Sequence, residues 1–472
     1  MSHKSRRSAL ALALLATALV VPGAAATPAL AAPAPQIEHL FIITLENKNA
    51  EKTFSEPSPA PYLGTTMRAA GAFIPNYFGI GHASLDNYLA MISGQPPNLA
   101  TQADCLLFTE MVPASLRADG VAVGQGCVYP SRVQTVADQL EDSGHSWRGY
   151  MQDMANSVEA GESATCRHPA LNSQDMTQAA GPTDQYATRH NPFMYFHSII
   201  DSPACHRNVV DLSHLEEDLA SAATTPEYAF ITPDLCADGH DPTCADIYSP
   251  GGFAGINAFL ERWVPLIQAS AAYRDHGAIL VAFDESEKGA ESCCNEAIGP
   301  NTLSNGGAQP GNGGGRTGAV IVSPCVKPGT ETQTAYNHYS MLRWVEDNFG
   351  LDHLANAGAP GLSSFGPDVF TDPNCSLPAG QRGPGGKGEM RLRIRPRKAL
   401  AGKKTTFRLL LLADAACLDG ATARFAGHRR QLDANGRTRF KLTLRGRGQR
   451  QARIMSTSCG GAKAKVRLRR AG

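Results

Sequence analysis

The chain has 472 residues, 42% of them hydrophobic and 18% charged, with a formal net charge of +0. That length buries a full core and leaves room for more than one domain. Beyond residue 31 no stretch is long and apolar enough to span a bilayer, which argues against a multi-span membrane protein.

In chain order, Lys4, Arg6 and Arg7 precede the apolar run ALALLATALVV and then small residues through Ala29-Leu30-Ala31. This is the pattern of a secretory signal, so residues 1–31 are expected to be removed and the mature chain to be extracellular or cell-wall associated. The 12 cysteines agree with an oxidising compartment, and no CxxC pair has a second half at zinc spacing. The adjacent Cys293 and Cys294 are expected to pair elsewhere in the chain.

Residues 36–377 alternate buried-strand runs with helical stretches. IEHLFIITLEN, EYAFITPD, HGAILVAFDES and TGAVIVSP read as strands. SLDNYLAMISG, VQTVADQLEDSG, GINAFLERWVPLIQASAAYRDH and YSMLRWVEDNFG read as helices. Such alternation predicts an α/β fold, a mostly parallel sheet covered on both faces in three α/β/α layers. Sites in such sheets form at strand carboxyl ends. There the sequence places Glu46 and Asn47, then Asp234, Asp238, His240 and Asp241, then Asp284 and Glu285, with His338 after the last strand. Carboxylates at three strand ends with histidines beside them suit a hard cation and acid–base groups.

GHASLDNYLAMISG puts Ser84 at a helix start, either as an N-cap or as a hydroxyl nucleophile facing the positive helix end. The two roles are compatible. The run GGAQPGNGGGRTG (306–318) lacks the Gly-Lys-Ser/Thr ending of a phosphate loop. It reads as a flexible loop able to line a pocket, with Arg316 within reach of a phosphate. His145 and His190 stand open between structural and catalytic roles.

PAGQRGPGGKGE (378–389) is a Gly/Pro-rich linker. From Lys387 onward there are 24 Lys and Arg against 4 Asp and Glu, so an acidic body precedes a basic tail. MRLRIRP, KTTFRLLLL, TARFAG, RTRFKLTLR and AKVRLRR are strand-like, and LDANGRT supplies a turn. Residues 390–472 are expected to form a small, Ig-like all-β sandwich, with Cys417 and Cys459 available to staple two strands. Its alternating cations make one sheet face positive. That face reads either as a solvated spacer surface or as a contact for an anionic wall, membrane or polymer; no nucleic-acid partner is expected.

Several ordered motifs resemble the bacterial phosphoesterase family of phospholipase C and acid phosphatase type, within the alkaline-phosphatase-like superfamily. LENKNAEKTF is similar to that family's E-N-(K/R)-x(n)-F opening, and GHASLDNYLAMISG to its S-H-P-S-x-P-N-Y segment. YATRHNPFMYF, DLCADGHD, AFDES and YNHYSMLRWVEDNFGL resemble later blocks in the family's order, over about residues 37–355. The resemblance implies Ser84 as nucleophile and one divalent ion held by Glu46, Asn47, Ser84, Asp284 and Glu285. Asn87, Asp241 and His190 would contact substrate, and His240 or His338 would protonate the leaving oxygen. Mixed oxygen ligands favour Ca, Mg, Mn or Fe over Zn. Asp86 departs from the family pattern, which has proline there.

The resulting expectation is a secreted phosphoesterase acting on small-molecule phosphomonoesters, lipid phosphates included. The alternatives are a phospholipase C-type diesterase and, in a different class, an inactive protein binding surfaces through its basic tail. A sulfatase is disfavoured because the C-x-P-x-R signature is absent around Ser84.

Overall fold

The structure is a computed structural model and describes residues 35–156, 164–245, 250–375, 391–396, 398–412, 421–432, 437–446, 448–456 and 460–469. The expected signal segment, the linker and the Cys417–Cys459 staple lie outside the described residues. No helix among the described residues is long and apolar enough to cross a membrane.

Eight strands form the main sheet. They are β1 (His39–Leu45), β2 (Ala72–Ile74), β3 (Trp147–Met151), β4 (Val209–Asp211), β5 (Tyr228–Thr232), β6 (Gly277–Phe283), β7 (Ala319–Val322) and β8 (Thr330–Glu331), in the spatial order β8-β2-β7-β6-β1-β5-β3-β4. The run β6-β1-β5-β3-β4 is parallel throughout. β7 is antiparallel to both β6 and β2. This corrects the sequence reading at one point: the carboxyl end of TGAVIVSP points away from the carboxyl ends of β1, β5 and β6.

Every residue of β1 and of β6 is buried, because helices cover both faces. On one face Leu40 and Ile42 pack in a cluster with Leu85, Tyr88, Leu89 and Ile92 of α1 (Ser84–Ser93). α2 (Val136–Ser143) and α4 (His338–Phe349) contribute to the same cluster. On the other face Phe41 and Ile43 meet Ile256, Phe259, Leu260 and Val264 of α3 (Gly252–Ala269). The three layers are those the alternation predicts. Helix ends follow local chemistry: α1, α2 and α4 stop at Gly94, Gly144 and Gly350, each left-handed, a conformation that costs glycine least.

Disulfides join Cys105–Cys127, Cys166–Cys205, Cys236–Cys244 and Cys325–Cys375. Cys293 and Cys294 pair with each other, contrary to expectation.

The C-terminal strands are β9 (Arg391–Arg395), β10 (Lys398–Leu400), β11 (Lys404–Leu412), β12 (Thr422–Phe425), β13 (His428–Gln431), β14 (Arg437–Thr443), β15 (Gly448–Ser456) and β16 (Gly460–Arg469). They form a three-stranded sheet, β9-β11-β14, and a five-stranded sheet, β10-β16-β15-β12-β13. Leu392, Ile394, Phe407, Leu409 and Phe440 of the first share one buried cluster with Ala423, Phe425, Ile454, Val466 and Leu468 of the second. That is the apolar interior of a two-sheet sandwich.

Candidate active site

The carboxyl ends of β1, β5 and β6 converge because these strands are parallel neighbours. Glu46 follows β1 and its backbone N–H donates to the Asp238 carbonyl at 2.9 Å, which ties the loop after β5 to the end of β1. Asn47 takes a positive φ of 50°, and its N–H donates to Asp284 Oδ1 at 3.0 Å. Three strand ends are thereby bound into one acidic floor.

Ser84 is the first residue of α1. The N-cap position belongs to Ala83, which supplies no side-chain cap, so capping does not account for Ser84. Its hydroxyl, 4% exposed, donates to Glu46 Oε2 at 3.0 Å. One helical turn on, Tyr88 donates its phenol O–H to Glu46 Oε1 at 2.7 Å, the i, i+4 spacing that places two side chains on one face. Leu85 N–H donates to Asp104 Oδ1 at 3.0 Å.

Behind Glu46 lies His190. Its Nε2 is 3.3 Å from Glu46 Oε1 and its Nδ1 is 3.1 Å from Asp238 Oδ2, and its ring stacks on Tyr88 at 5.2 Å. Glu46, His190 and Asp238 offer ligand atoms all within 4.8 Å of one another and could hold a metal ion. Asn47 Oδ1, Asp284 Oδ2 and His190 Nε2 are buried without a hydrogen-bond partner. Unpartnered buried acceptors beside clustered carboxylates fit a hard cation.

The electrostatics agree. Burial first, then Asp284 and Asp238, raises the Glu46 carboxyl well above the ordinary range. Burial pushes Asp284 up to about 7. Asp238 is raised by burial, and Glu285 by burial and then by Asp284. Several carboxyls in one dry pocket disfavour each other's charge, and a cation would relieve them.

A sequence profile of the Phosphoesterase family matches residues 56–352, well over half of this chain. The chain belongs to the Phosphoesterase family. It is similar to a probable acid phosphatase of Kluyveromyces lactis, 26% identical over 67% of this chain and 59% of that one. A phosphate-repressible acid phosphatase of Penicillium chrysogenum is 26% identical over 64% of this chain and 58% of its own length. The chain thus spans less than two thirds of either relative. A phosphatidylinositol-3-phosphatase of Mycobacterium tuberculosis is 23% identical over 76% of this chain and 94% of its own. A solved alkaline phosphatase superfamily protein from Vibrio parahaemolyticus aligns with a TM-score of 0.39 and 11% identity, over 87% of this chain and 85% of that one.

The remaining residues singled out from sequence lie around this acidic floor in distinct places. Asn87 is fully buried. Its Oδ1 accepts from the Ile80 and Gly81 amides at 2.7 and 3.1 Å, and its Nδ2 donates to the Gly81 and Ala83 carbonyls, both at 2.9 Å. Asn87 therefore shapes the turn that presents Ser84. Asp86, 1% exposed, lies under that turn. Its carboxyl is close to the Ala83 and Asn87 amides but has no well-formed hydrogen bond. A Cβ on Gly81 would come within 2.3 Å of its Oδ1, so only glycine fits there.

His338 is fully buried, with Nε2 donating to the Asp284 carbonyl at 2.6 Å and Nδ1 accepting from the Tyr77 hydroxyl at 3.0 Å. Burial pushes it down to about 4. Both nitrogens are occupied, so in this arrangement His338 positions the end of β6. His240 is more open. Its Nδ1 is 2.7 Å from Asp241 Oδ1, and Arg189 Nη2 donates to its Nε2 at 3.3 Å. Glu285 Oε1 faces His82 Nδ1 at 3.4 Å. A cleft of about 510 Å³ is lined by Asn47, Lys48, His240, Phe253, Glu285 and Ser286, among others.

Arg316 lies away from this cleft, pairing with Glu51 and donating to the Pro75 carbonyl. The Gly-rich loop instead braces the floor: Gly79 N–H donates to the Gly315 carbonyl and Gly314 N–H to the Gly79 carbonyl, both at 3.0 Å. His145 is bound 3.2 Å from Glu227 and packs on Phe349. Tyr88, Arg189, Asp104 and His82 went unassigned in the sequence reading. The spacing of Tyr88 from Ser84 was the available signal; the others arrive by long-range packing.

Proposed function

We propose that this chain is a metal-dependent phosphoesterase in which Ser84 is the nucleophile. The observation that carries the reading is the Ser84 hydroxyl aimed at Glu46 Oε2, 3.0 Å away, at a helix N-terminus beside two buried oxygens without hydrogen-bond partners, Asn47 Oδ1 and Asp284 Oδ2. Glu46, Asn47 and Asp284 would hold the divalent ion, with His190 and Asp238 beneath Glu46. Oxygen-dominated donors favour Ca, Mg, Mn or Fe over Zn. When bound, the ion supplies charge neutralisation at the phosphoryl oxygens and lowers the pKa of the serine hydroxyl.

The chain's own groups do the rest. Glu46 Oε2 accepts the Ser84 hydroxyl hydrogen bond and takes its proton as Oγ bonds to phosphorus. The positive end of α1 favours the charge of the incoming phosphate. Ser84 Oγ forms the bond to phosphorus as the ester oxygen departs, giving a phosphoseryl intermediate. His240, held at Nδ1 by Asp241 at the cleft wall and protonated at both nitrogens, gives its Nε2 proton to the departing oxygen; it then takes a proton from the water that attacks phosphorus, while Glu46 returns its proton to the released Ser84 oxygen. Phosphomonoesters are the favoured substrates. The acid phosphatase and phosphatidylinositol phosphatase relatives support this class. The signal-like start of the chain supports an exported protein.

The test is hydrolysis of a chromogenic phosphate monoester and its diester analogue by wild type and Ser84→Ala, before and after chelation. Activity lost on chelation, restored by one divalent ion and absent in Ser84→Ala is the expected result. A rate ratio favouring the diester would assign a phospholipase C-type reaction. Undiminished turnover by Ser84→Ala would remove the serine from the chemistry.

A further inference from the structure

The eight strands of the C-terminal sandwich carry 18 Lys and Arg and no Asp or Glu. In the five-stranded sheet, alternation buries the apolar residues and turns cations such as Arg424, Arg453 and Lys463 outward. On β16, Lys463, Lys465, Arg467 and Arg469 are exposed, while Val466 and Leu468 are buried. Register then sets the cations side by side across the five-stranded sheet. Lys463 is opposite Arg453, Arg453 is opposite Arg424, and Arg424 is opposite Arg429. All four are exposed on one face. With strands about 4.8 Å apart, the row runs across four strands for about 14 Å. Lys398 extends the same face opposite Arg467.

Like charges directly opposite each other destabilise a sheet. No carboxylate on any of these strands offsets the row. A solvated face for solubility alone would tolerate mixed signs or staggered cations; four cations in register over four strands make a ladder for an anion that repeats at short spacing. Arginines predominate in the row, and their planar forks match phosphate oxygens. The face holds no aromatic side chain: Phe407, Phe425 and Phe440 are all inside. It therefore lacks both the platforms on which bases stack and the belt residues that anchor at a lipid interface.

We infer that the outer face of this five-stranded sheet binds a linear phosphate polyanion laid across β16, β15, β12 and β13. The assignment is independent of the catalytic reading, because it concerns binding alone.

The experiment uses the full chain and fluorescently labelled long-chain inorganic polyphosphate, with affinity measured by anisotropy at about 50 and about 200 mM salt. Neutralising four charges predicts roughly a 50-fold loss of affinity between those salts. Arg453→Glu sets a carboxylate between Lys463 and Arg424. It should weaken binding at least about tenfold at the lower salt while holding or raising the melting temperature, since opposite cross-strand charges stabilise. Arg453→Gln, which removes the charge without reversing it, should fall between. Wild-type affinity in both variants would overturn the proposal. So would absence of binding by wild type at low salt, the result expected if the face is covered by the chain's own acidic body. Tighter capture of anionic vesicles or single-stranded DNA than of polyphosphate would overturn it in favour of those partners.

Discussion

At the residue scale, His338 and His240 are separable by their access to the cleft. His338 is fully buried between Tyr77 and the Asp284 carbonyl, whereas His240, though bonded to Asp241 and Arg189, lines the cleft. Loss of a general acid matters most when the leaving oxygen is basic. His240→Ala should therefore cut kcat on an alkyl phosphate by about 10²–10⁴-fold and on a nitrophenyl phosphate far less. His338→Ala should slow both substrates alike and cost about 2–4 kcal/mol of stability, through a buried network left incomplete. Steady-state rates on the two substrates, with chemical denaturation of each variant, decide between the roles. Asp86 gives a second prediction. Its buried carboxyl, raised well above the ordinary range by burial and then by Asp104 and Asp284, sits in the first turn of α1, where backbone N–H groups have no helical acceptor. Asp86→Pro should keep activity and stabilise the fold by about 1–3 kcal/mol as an unsatisfied polar group is removed. Lost turnover with a retained fold would instead make Asp86 part of the chemistry.

At the element scale, capping can be tested apart from catalysis. Thr135 opens α2 with a reciprocal box: its hydroxyl accepts from the Asp138 amide while the Asp138 carboxylate accepts from the Thr135 amide at 2.7 Å. Thr135→Ala should lower stability by about 1 kcal/mol and leave kcat unchanged, read by thermal melting beside a rate assay. Elements of this kind were legible in the sequence because their signals are local. Apolar runs gave β1, β5, β6 and β7, and amphipathic stretches ending in glycine gave α1, α2 and α4. The carboxylates at the ends of β1, β5 and β6 followed from parallel topology alone. What escaped is what local pattern cannot encode. AVIV reads as a buried strand in either direction, so the reversal of β7 was invisible. His190 meets Asp238 across 48 residues, a contact fixed only when the loop after β5 folds over Glu46. Asn87 bonds the turn before Ser84 and reaches Glu285 Oε2 at 3.4 Å, contacts that local pattern does not show.

At the scale of the whole molecule, charge is divided between an acidic body and a basic sandwich, and within the body it is concentrated at one floor. Glu46, Asp238, Asp284 and Glu285 all hold protons more tightly when folded than when unfolded. Raised folded pKa values mean that the folded chain binds more protons, so this cluster withdraws stability as pH rises from the ordinary carboxylate range near 4. For Asp284 the loss extends to about 7. The buried histidines act with the opposite sign. His190 and His338 are lowered chiefly by burial, and the stability they contribute is lost as pH falls below about 6.5. These histidine effects largely cancel when one pH is compared with and without a divalent ion. A cation among the carboxyls competes with their protons, and its stabilisation grows as they ionise. The melting temperature should thus rise little on adding Ca, Mg or Mn at about pH 5 and several degrees at about pH 7, with chelation reversing the shift. Glu46→Gln should abolish the difference between the two pH values. An equal shift at both, or one that persists in Glu46→Gln, would place the ion away from this floor and leave the raised carboxyls as a cost the fold carries for another reason.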